Sequence, residues 1–135
     1  MEYHFGRLID HVHLVVSDLE ASKEFYKAVL GSVGREISGE GEGYFFADEM
    51  FVSGGEQKTH VHLAFQADGP DMVRRFHEAG LAAGGTDNGP PGERSYHRGY
   101  YAAFVLDPDG NNIEAVYHGP AERSVASVVV TPKIG

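Results

Sequence analysis

Apolar and polar residues alternate along two stretches of the chain, one near the start of each half. Residues 9–16 read Ile-Asp-His-Val-His-Leu-Val-Val, and residues 59–67 read Thr-His-Val-His-Leu-Ala-Phe-Gln-Ala. A period of two in sequence rich in β-branched residues predicts a strand in each stretch. Imidazoles share one face of each predicted strand, namely His11 with His13 and His60 with His62.

A helical pattern follows each predicted strand. Ser17-Asp18 is a helix N-cap signal, and apolar residues then recur at helical spacing up to Gly31, which we expect just beyond the helix end. Pro70-Asp71 opens a second amphipathic stretch, which we expect to stop at Gly80. The sequence therefore predicts two strand-helix pairs.

The two pairs match in register. A shift of 51 residues places His11 on His62 and Phe25 on Phe76. Packing alone does not require a histidine at the same place before each helix, so we infer a tandem repeat. Each half is predicted to contain a strand, a helix and three further strands.

The second half ends in a predicted β-hairpin over residues 100–117. Its strands are aromatic and aliphatic, and an Asp-Pro-Asp-Gly sequence supplies the turn between them. If Leu106 lies opposite Asn112, then Phe104 lies opposite Glu114. This pairing puts a carboxylate on a mostly apolar face of the hairpin.

Glu114 therefore needs a partner. Burying a lone carboxylate is costly, so a cation, a shell of hydrogen bonds or a metal ion must accompany it. If the halves are related by a pseudo-twofold axis, then His11, His62 and Glu114 can converge. Two imidazoles and one carboxylate with open positions suit a divalent Fe, Mn, Zn, Ni or Co ion. His13 and His60 are candidates for lining the pocket, for supporting the ligands or for an alternative ligand, or they are exposed at the surface.

Composition narrows the possible partners. The chain has 135 residues and 41% hydrophobic residues, enough for one domain. Its net charge of -9 disfavours nucleic acid and anionic membrane surfaces as partners. The chain has no cysteine, so a metal must use nitrogen and oxygen ligands. There is neither a leader pattern nor an apolar run of about 20 residues, and we expect a cytoplasmic protein.

Two segments remain open to interpretation. Residues 84–99 form a long predicted loop, which is either a lid or specificity loop or an ordered surface loop. Within it His97 is a candidate general acid or base, or a residue that caps the loop. Arg94, Arg98 and Arg123 are candidates for holding an anionic substrate, or they are solvated surface charges. Residues 125–130 are a possible edge strand.

Three segments together resemble the vicinal oxygen chelate superfamily. They begin at His11 (His-Val-His-Leu-Val-Val-Ser-Asp-Leu), at His62 (His-Leu-Ala-Phe) and at Asp107 (Asp-Pro-Asp-Gly-Asn-Asn-Ile-Glu). That superfamily includes glyoxalase I, extradiol dioxygenases, fosfomycin-resistance transferases and bleomycin-binding proteins. The resemblance covers about residues 8–118. It places the metal-ligand positions at His11, His62 and Glu114.

The resemblance implies an α+β fold in which two tandem βαβββ modules form a cupped mixed sheet. The modules would span about residues 8–56 and 59–118 of a single domain over residues 1–135, with a tail over residues 119–135. It also implies a homodimer, in which a site could take His11 from one subunit and the other ligands from its partner.

The sequence departs from the family patterns at two places. Glyoxalase I adds a carboxylate ligand from the last strand of its first half, whereas Met50–Gly54 has none, which leaves three ligands and water. Extradiol dioxygenases have a tyrosine ten residues before the glutamate ligand. This chain has Phe104 at that position, so the phenol hydroxyl is missing unless Tyr100 or Tyr101 supplies it. Bleomycin-binding relatives have lost the metal ligands.

These comparisons favour a metal-dependent lyase or isomerase of glyoxalase type, acting on a small substrate with vicinal oxygens. Glu114 or the metal-bound water would be nearest for proton transfer, with His97 or Tyr100 assisting. An extradiol-type ring-cleaving dioxygenase and a non-catalytic protein that binds an antibiotic or aromatic ligand are the alternatives.

Overall fold

Two four-stranded sheets and two helices make up the computed structural model, which describes residues 2, 4 and 6–134. Residues 1, 3, 5 and 135 of the predicted domain lie outside the described residues. The first half contains β1 (Val12–Val16), α1 (Leu19–Ser32), β2 (Gly39–Gly41), β3 (Tyr44–Ala47) and β4 (Met50–Gly54). The second half contains β5 (His62–Gln66), α2 (Pro70–Ala82), β6 (Thr86–Glu93), β7 (Tyr101–Leu106) and β8 (Asn112–Tyr117). The predicted α+β fold of two βαβββ modules is confirmed.

Each module forms its own mixed sheet. The strand order is β1-β4-β3-β2 in the first sheet and β5-β8-β7-β6 in the second. β1 pairs with β4, and β5 with β8, in parallel, while the other pairs are antiparallel. The strands that carry the repeated histidine pattern, β1 and β5, are therefore edge strands of their sheets. Neither helix is long and apolar enough to cross a membrane.

Helix α1 begins as predicted and ends later than predicted. The Asp18 side chain accepts a hydrogen bond from the Ala21 N–H at 3.1 Å, as an N-cap does. Gly31 lies inside the helix, so its prediction as the residue beyond the end is wrong. Gly34 takes that place with φ = 76° and donates its N–H to the Gly31 carbonyl, which is a Schellman arrangement.

Helix α2 shows the same pattern. Gly80 is not its stop but a buried residue inside it, and Gly84 with φ = 98° follows the end. A Cβ at Gly80 would lie 3.2 Å from Val105 and 3.3 Å from Val29. Gly80 therefore lies where α2 packs closely against both α1 and β7. The helical periodicity of the sequence does not distinguish such a glycine from one that ends a helix.

One hydrophobic core joins the two modules. The helices pack against each other, α1 also contacts β4, and α2 lies on β6, β7 and β8. Side chains of this core include Leu14, Val16, Phe25, Tyr26, Phe45, Phe76, Val105 and Ile113, all fully buried. The opposite faces of both sheets remain open, and the candidate site residues lie on or beside them.

The hairpin has the predicted register, with Leu106 opposite Asn112 and Phe104 opposite Glu114. Its turn is tied to the first module. Asp107 is buried and accepts hydrogen bonds from the Tyr26 hydroxyl at 2.5 Å and from the Asn111 N–H at 2.8 Å.

The neighbouring Asp109 holds the turn to the start of α1. It accepts from the Ser17 N–H at 2.9 Å, and its carboxylate lies 3.8 Å from the Lys58 ammonium. The two turn carboxylates thus fix the hairpin that carries Glu114.

Two predictions about irregular segments are wrong. Residues 86–93 of the predicted loop form the edge strand β6, with register shifts around Gly89 and Gly92. Its two prolines fit there because an edge strand does not need every N–H to pair. The predicted strand over residues 125–130 is absent, and Val128, Val129 and Val130 are 76%, 85% and 80% exposed.

Replacing Tyr26 with phenylalanine tests the contact between the modules. Tyr26→Phe removes one donor to a buried carboxylate, so we expect the free energy of unfolding to fall by about 1–3 kcal/mol. Urea denaturation followed by far-UV circular dichroism measures the change. Tyr44→Phe is the matched control because Tyr44 is half-buried on an open sheet face. An equal loss in both variants would contradict a specific role for the Tyr26 hydroxyl.

Candidate active site

Glu114 is the centre of the candidate site. Its carboxylate is 2% exposed although it lies on the face of the second sheet that points away from the helices. His62 Nε2 lies 2.7 Å from Glu114 Oε1, and the Tyr100 hydroxyl donates a hydrogen bond to Glu114 Oε2. An ionised carboxylate only accepts, so His62 donates through Nε2. The buried charge is thus held by two donors.

The strand pairing explains why these groups meet. β5 lies beside β8 with Ala64 opposite Glu114. His62 lies two residues before Ala64, so its side chain is on the same face of the sheet as Glu114. The His62 side chain is 54% exposed, and its ring lies 5.9 Å from the Phe104 ring. The site therefore has one buried anion and one accessible imidazole.

Tyr100 is held as a hydrogen-bond donor. Burial raises the pKa of its phenol, and the hydrogen bond to Glu114 and the charge of that carboxylate raise the pKa further. The phenol therefore keeps its proton well into the alkaline range. Tyr100 can donate to a developing negative charge but does not act as a base near neutral pH.

His97 lies beside Tyr100 rather than beside Glu114. Its Nδ1 is 2.9 Å from the Arg98 carbonyl, which can only accept, so Nδ1 carries the hydrogen. In the neutral ring Nε2 then accepts from His118 Nδ1 at 2.8 Å. The His97 ring meets the Tyr100 ring edge to face at 5.3 Å. His97 thus packs against the phenol that binds Glu114.

His11 is not part of this group. It lies one residue before β1, its side chain is 63% exposed, and its Nδ1 lies 2.6 Å from the Asp10 carboxylate. Across residues 2, 4 and 6–134, no three His, Asp or Glu side chains come together as ligands of one ion. His62 and Glu114 have the donor types of a divalent metal site, but they supply two protein ligands where a catalytic site normally has three.

The open face of the first sheet carries a row of aromatic rings. Phe51 is stacked with Tyr44 at 5.3 Å and with Phe46 at 6.5 Å between ring centroids. His13 meets Phe51 edge to face and bonds through Nε2 to the Ser53 hydroxyl at 2.7 Å. We call Tyr44, Phe46 and Phe51 the aromatic strip.

Glycines make room for this strip. A Cβ at Gly39 would lie 2.6 Å from the Phe46 ring, and one at Gly41 would lie 2.5 Å from the Tyr44 ring. The rings therefore lie flat over the backbone of β2. His60 is exposed and precedes β5, so it is not part of the sheet face.

Clefts open at the surface of the part of the chain that the structure describes. One of about 430 Å³ is lined by Glu93, Arg94, Ser95, His97, Arg98, Gly99 and Tyr100. It is therefore adjacent to the Tyr100–Glu114 contact. Another, of about 670 Å³, is lined by Gly34, Arg35, Glu36, Ser38 and Asp48 in the first module. The second cleft contains none of the candidate residues, so we assign no chemistry to it.

The sequence matches a known family model over most of its length. Residues 8–115 match the model described as Glyoxalase/Bleomycin resistance protein/Dioxygenase superfamily. The chain belongs to this superfamily. The comparison with curated proteins found no match.

Solved structures agree with this assignment. A glyoxalase/bleomycin resistance protein from Albidiferax ferrireducens T118 is 36% identical, with 81% of this chain and 98% of that chain covered and a TM-score of 0.70. A glyoxalase-related enzyme from Fulvimarina pelagi is 21% identical, with 82% and 87% covered and a TM-score of 0.64. A glyoxalase/bleomycin resistance protein/dioxygenase family enzyme from Burkholderia phytofirmans PsJN is 22% identical, with 79% and 95% covered and a TM-score of 0.63. The last two similarities show the fold alone.

Some site contacts could not be found by sequence reasoning. His118, which bonds to His97, lies just past β8, and nothing in its local sequence distinguishes it from a terminal surface residue. The sequence also left open whether Tyr100 or Tyr101 supplies a hydroxyl beside Glu114. In this superfamily member Tyr100 contacts Glu114, whereas the Tyr101 hydroxyl accepts from Arg74 at 3.0 Å.

Because the pKa of Tyr100 is raised, we predict that Tyr100 does not contribute to the absorbance change of an alkaline titration. Between about pH 8 and pH 11 an ordinary tyrosine with a pKa of about 10 ionises, and its absorbance at 295 nm rises. Because Tyr100 keeps its proton in the folded protein, wild type and Tyr100→Phe should show the same rise. A rise that is smaller by one tyrosine in the variant would contradict the assignment. Circular dichroism at each pH confirms that both proteins remain folded.

Proposed function

We propose that this protein is a metal-dependent lyase or isomerase of glyoxalase type that acts on a small substrate with two vicinal oxygens. The single observation that carries the proposal is the buried Glu114 carboxylate, paired with His62 on an open sheet face. A structural carboxylate would gain nothing from lying opposite Phe104 on this face. Membership of the superfamily supports the same reading.

In this proposal His62, Glu114 and the His11 of a second copy of the chain hold a divalent Fe, Mn, Zn, Ni or Co ion. His11 and His62 belong to the edges of different sheets, at β1 and β5, and both edges lack a strand neighbour among the described strands. A homodimer that placed β1 of one copy near β5 of the other would complete a three-ligand set. The open positions would accept the two substrate oxygens.

The bound ion would act as a Lewis acid that polarises the substrate oxygens. Glu114 is the group nearest to receive a proton from a carbon next to a carbonyl and to return it to the adjacent carbon. Tyr100 donates to the second oxygen of Glu114, which fixes the carboxylate and stabilises its charge before the first transfer and after the second. His97 acts by holding the Tyr100 ring in place.

Loss of the carboxylate should remove the metal. We expect Glu114→Gln to weaken divalent metal binding by about 100-fold or more, because altering even the partners of ligands costs about 10–100-fold. Equilibrium dialysis against zinc, with elemental analysis of the protein, measures the change. Glu78→Gln on the exposed side of α2 is the matched control. Unchanged metal content in a folded Glu114→Gln protein would sink the assignment.

A site shared between subunits predicts complementation. His11→Ala and His62→Ala homodimers should each bind metal poorly. After the two variants are unfolded together and refolded at a one-to-one ratio, each mixed dimer contains one complete site. Random pairing then restores roughly a quarter of the wild-type metal content. No restoration in a mixture shown by mass spectrometry to contain mixed dimers would contradict the sharing.

An extradiol-type dioxygenase is the second candidate, and the Tyr100 hydroxyl at Glu114 favours it. That contact provides a phenol beside the Glu114 carboxylate, although Phe104 occupies the position at which extradiol dioxygenases have a tyrosine. Anaerobic loading with Fe(II), followed by oxygen-uptake measurements with a panel of catechols, tests this candidate. Absence of uptake across the panel would count against it.

A non-catalytic binding protein is the third candidate, and the aromatic strip favours it. Three half-buried rings on an open face offer a stacking surface for a planar ligand. Metal-free protein that binds bleomycin or a simple aromatic compound as tightly as metal-loaded protein would support this candidate over the enzyme.

A further inference from the structure

Arg94 reaches the candidate site from the segment between β6 and β7. Its Cζ lies 5.4 Å from the centre of the Phe104 ring. Phe104 is the residue paired with Glu114, and its ring lies 5.9 Å from the His62 ring. The guanidinium therefore lies on the same open face as the His62–Glu114 pair, with one aromatic ring between them.

Two glycines leave space for this arginine. A Cβ at Gly92 would lie 3.2 Å from an Arg94 Nη atom. A Cβ at Gly89 would lie equally close to Arg94 and 2.9 Å from Phe104. Both positions are therefore crowded for any larger residue. The irregular course of β6 around these glycines is what allows Arg94 to lie across the strand.

The guanidinium is held in one orientation. Arg94 Nη2 donates to the Pro90 carbonyl at 2.7 Å, and Nη1 lies 3.4 Å from the Glu93 carbonyl. The Arg94 N–H donates to the Tyr100 carbonyl at 2.9 Å. An arginine side chain has five N–H donors, so more than half of them are not used by these contacts.

No described carboxylate lies within 4 Å of the Arg94 guanidinium. Arg35 and Arg74 pair with aspartates. Arg7, Arg75, Arg98 and Arg123 also have no carboxylate within 4 Å among the described residues, but they are exposed, whereas Arg94 is half-buried. The chain carries 20 acidic residues against 11 basic ones, so an acidic partner would be easy to supply. A half-buried cation that is oriented but unneutralised, on a wall of the cleft beside Tyr100, is suited to bind an anion.

We infer that Arg94 binds a carboxylate of the substrate, so that the substrate class is a small carboxylic acid with two vicinal oxygens at its other end. This inference rests on the proposed function. The planar guanidinium offers two parallel N–H donors, which match the two oxygens of a carboxylate. Stacking on Phe104 fixes the plane in which that fork is presented.

A matched pair of chelators tests the inference. Glutaric acid monohydroxamate and its methyl ester have the same two vicinal oxygens, and they differ in one negative charge. With zinc-loaded protein, calorimetry should show that the acid binds about tenfold or more tighter than the ester, as a charge-assisted contact implies. Arg94→Met should lose this preference. Arg75→Met, which removes the same charge from an exposed position on α2, should keep it.

A second measurement does not depend on a variant or on the metal. In metal-free protein labelled with nitrogen-15, glutarate should shift the Arg94 Nε–Hε resonance and leave that of Arg75 on α2 unmoved. An acid preference that survives in Arg94→Met, or an Arg94 signal that glutarate does not move, would overturn the inference. Stronger binding of inorganic phosphate than of glutarate would overturn the assignment to a carboxylate.

The two proposals fail in different ways. If zinc does not strengthen the binding of either hydroxamate, the proposed metal site is wrong, while the glutarate titration still reports on Arg94. If zinc strengthens both hydroxamates equally and the acid has no advantage, the metal site stands and the role of Arg94 is wrong.

Discussion

The buried carboxylate of Asp107 is the interaction on which the arrangement of the two modules depends. It lies in the turn of the second module, and its hydrogen-bond donors include Tyr26 from the first helix. Burial, together with the charge of Asp107, raises the pKa of Tyr26, so the donor keeps its proton. Because the same turn leads directly into β8, the contact that joins the modules also fixes the position of β8 and therefore of Glu114.

The candidate site residues therefore lie on sheet faces outside the hydrophobic core. The helices and one face of each sheet are packed together, and both remaining faces are open. One open face carries a buried anion, an accessible imidazole and an oriented arginine. The other carries the aromatic strip. In the proposed homodimer, the edges of two such sheets would lie close to each other beside these groups.

Sequence reasoning succeeded where a period or a turn decides the structure. The hairpin register followed from the Asp-Pro-Asp-Gly turn, and Glu114 was singled out because its charge breaks an apolar pattern. It failed where a glycine has more than one use. Gly31 and Gly80 looked like helix ends, yet Gly34 and Gly84 adopt the left-handed backbone that ends the helices.

The candidate site could be predicted in part. His62 and Glu114 were both named from the sequence, but they meet because β5 pairs with β8 in parallel, which the sequence did not predict. The position of His11 could not be predicted, because it depends on how the sheets are placed and not on any local pattern. The most direct test is X-ray absorption spectroscopy of zinc-loaded protein, which counts the imidazoles bound to the ion. We expect two imidazoles in wild type and one in His11→Ala, whereas one imidazole in both proteins would contradict a site that includes His11.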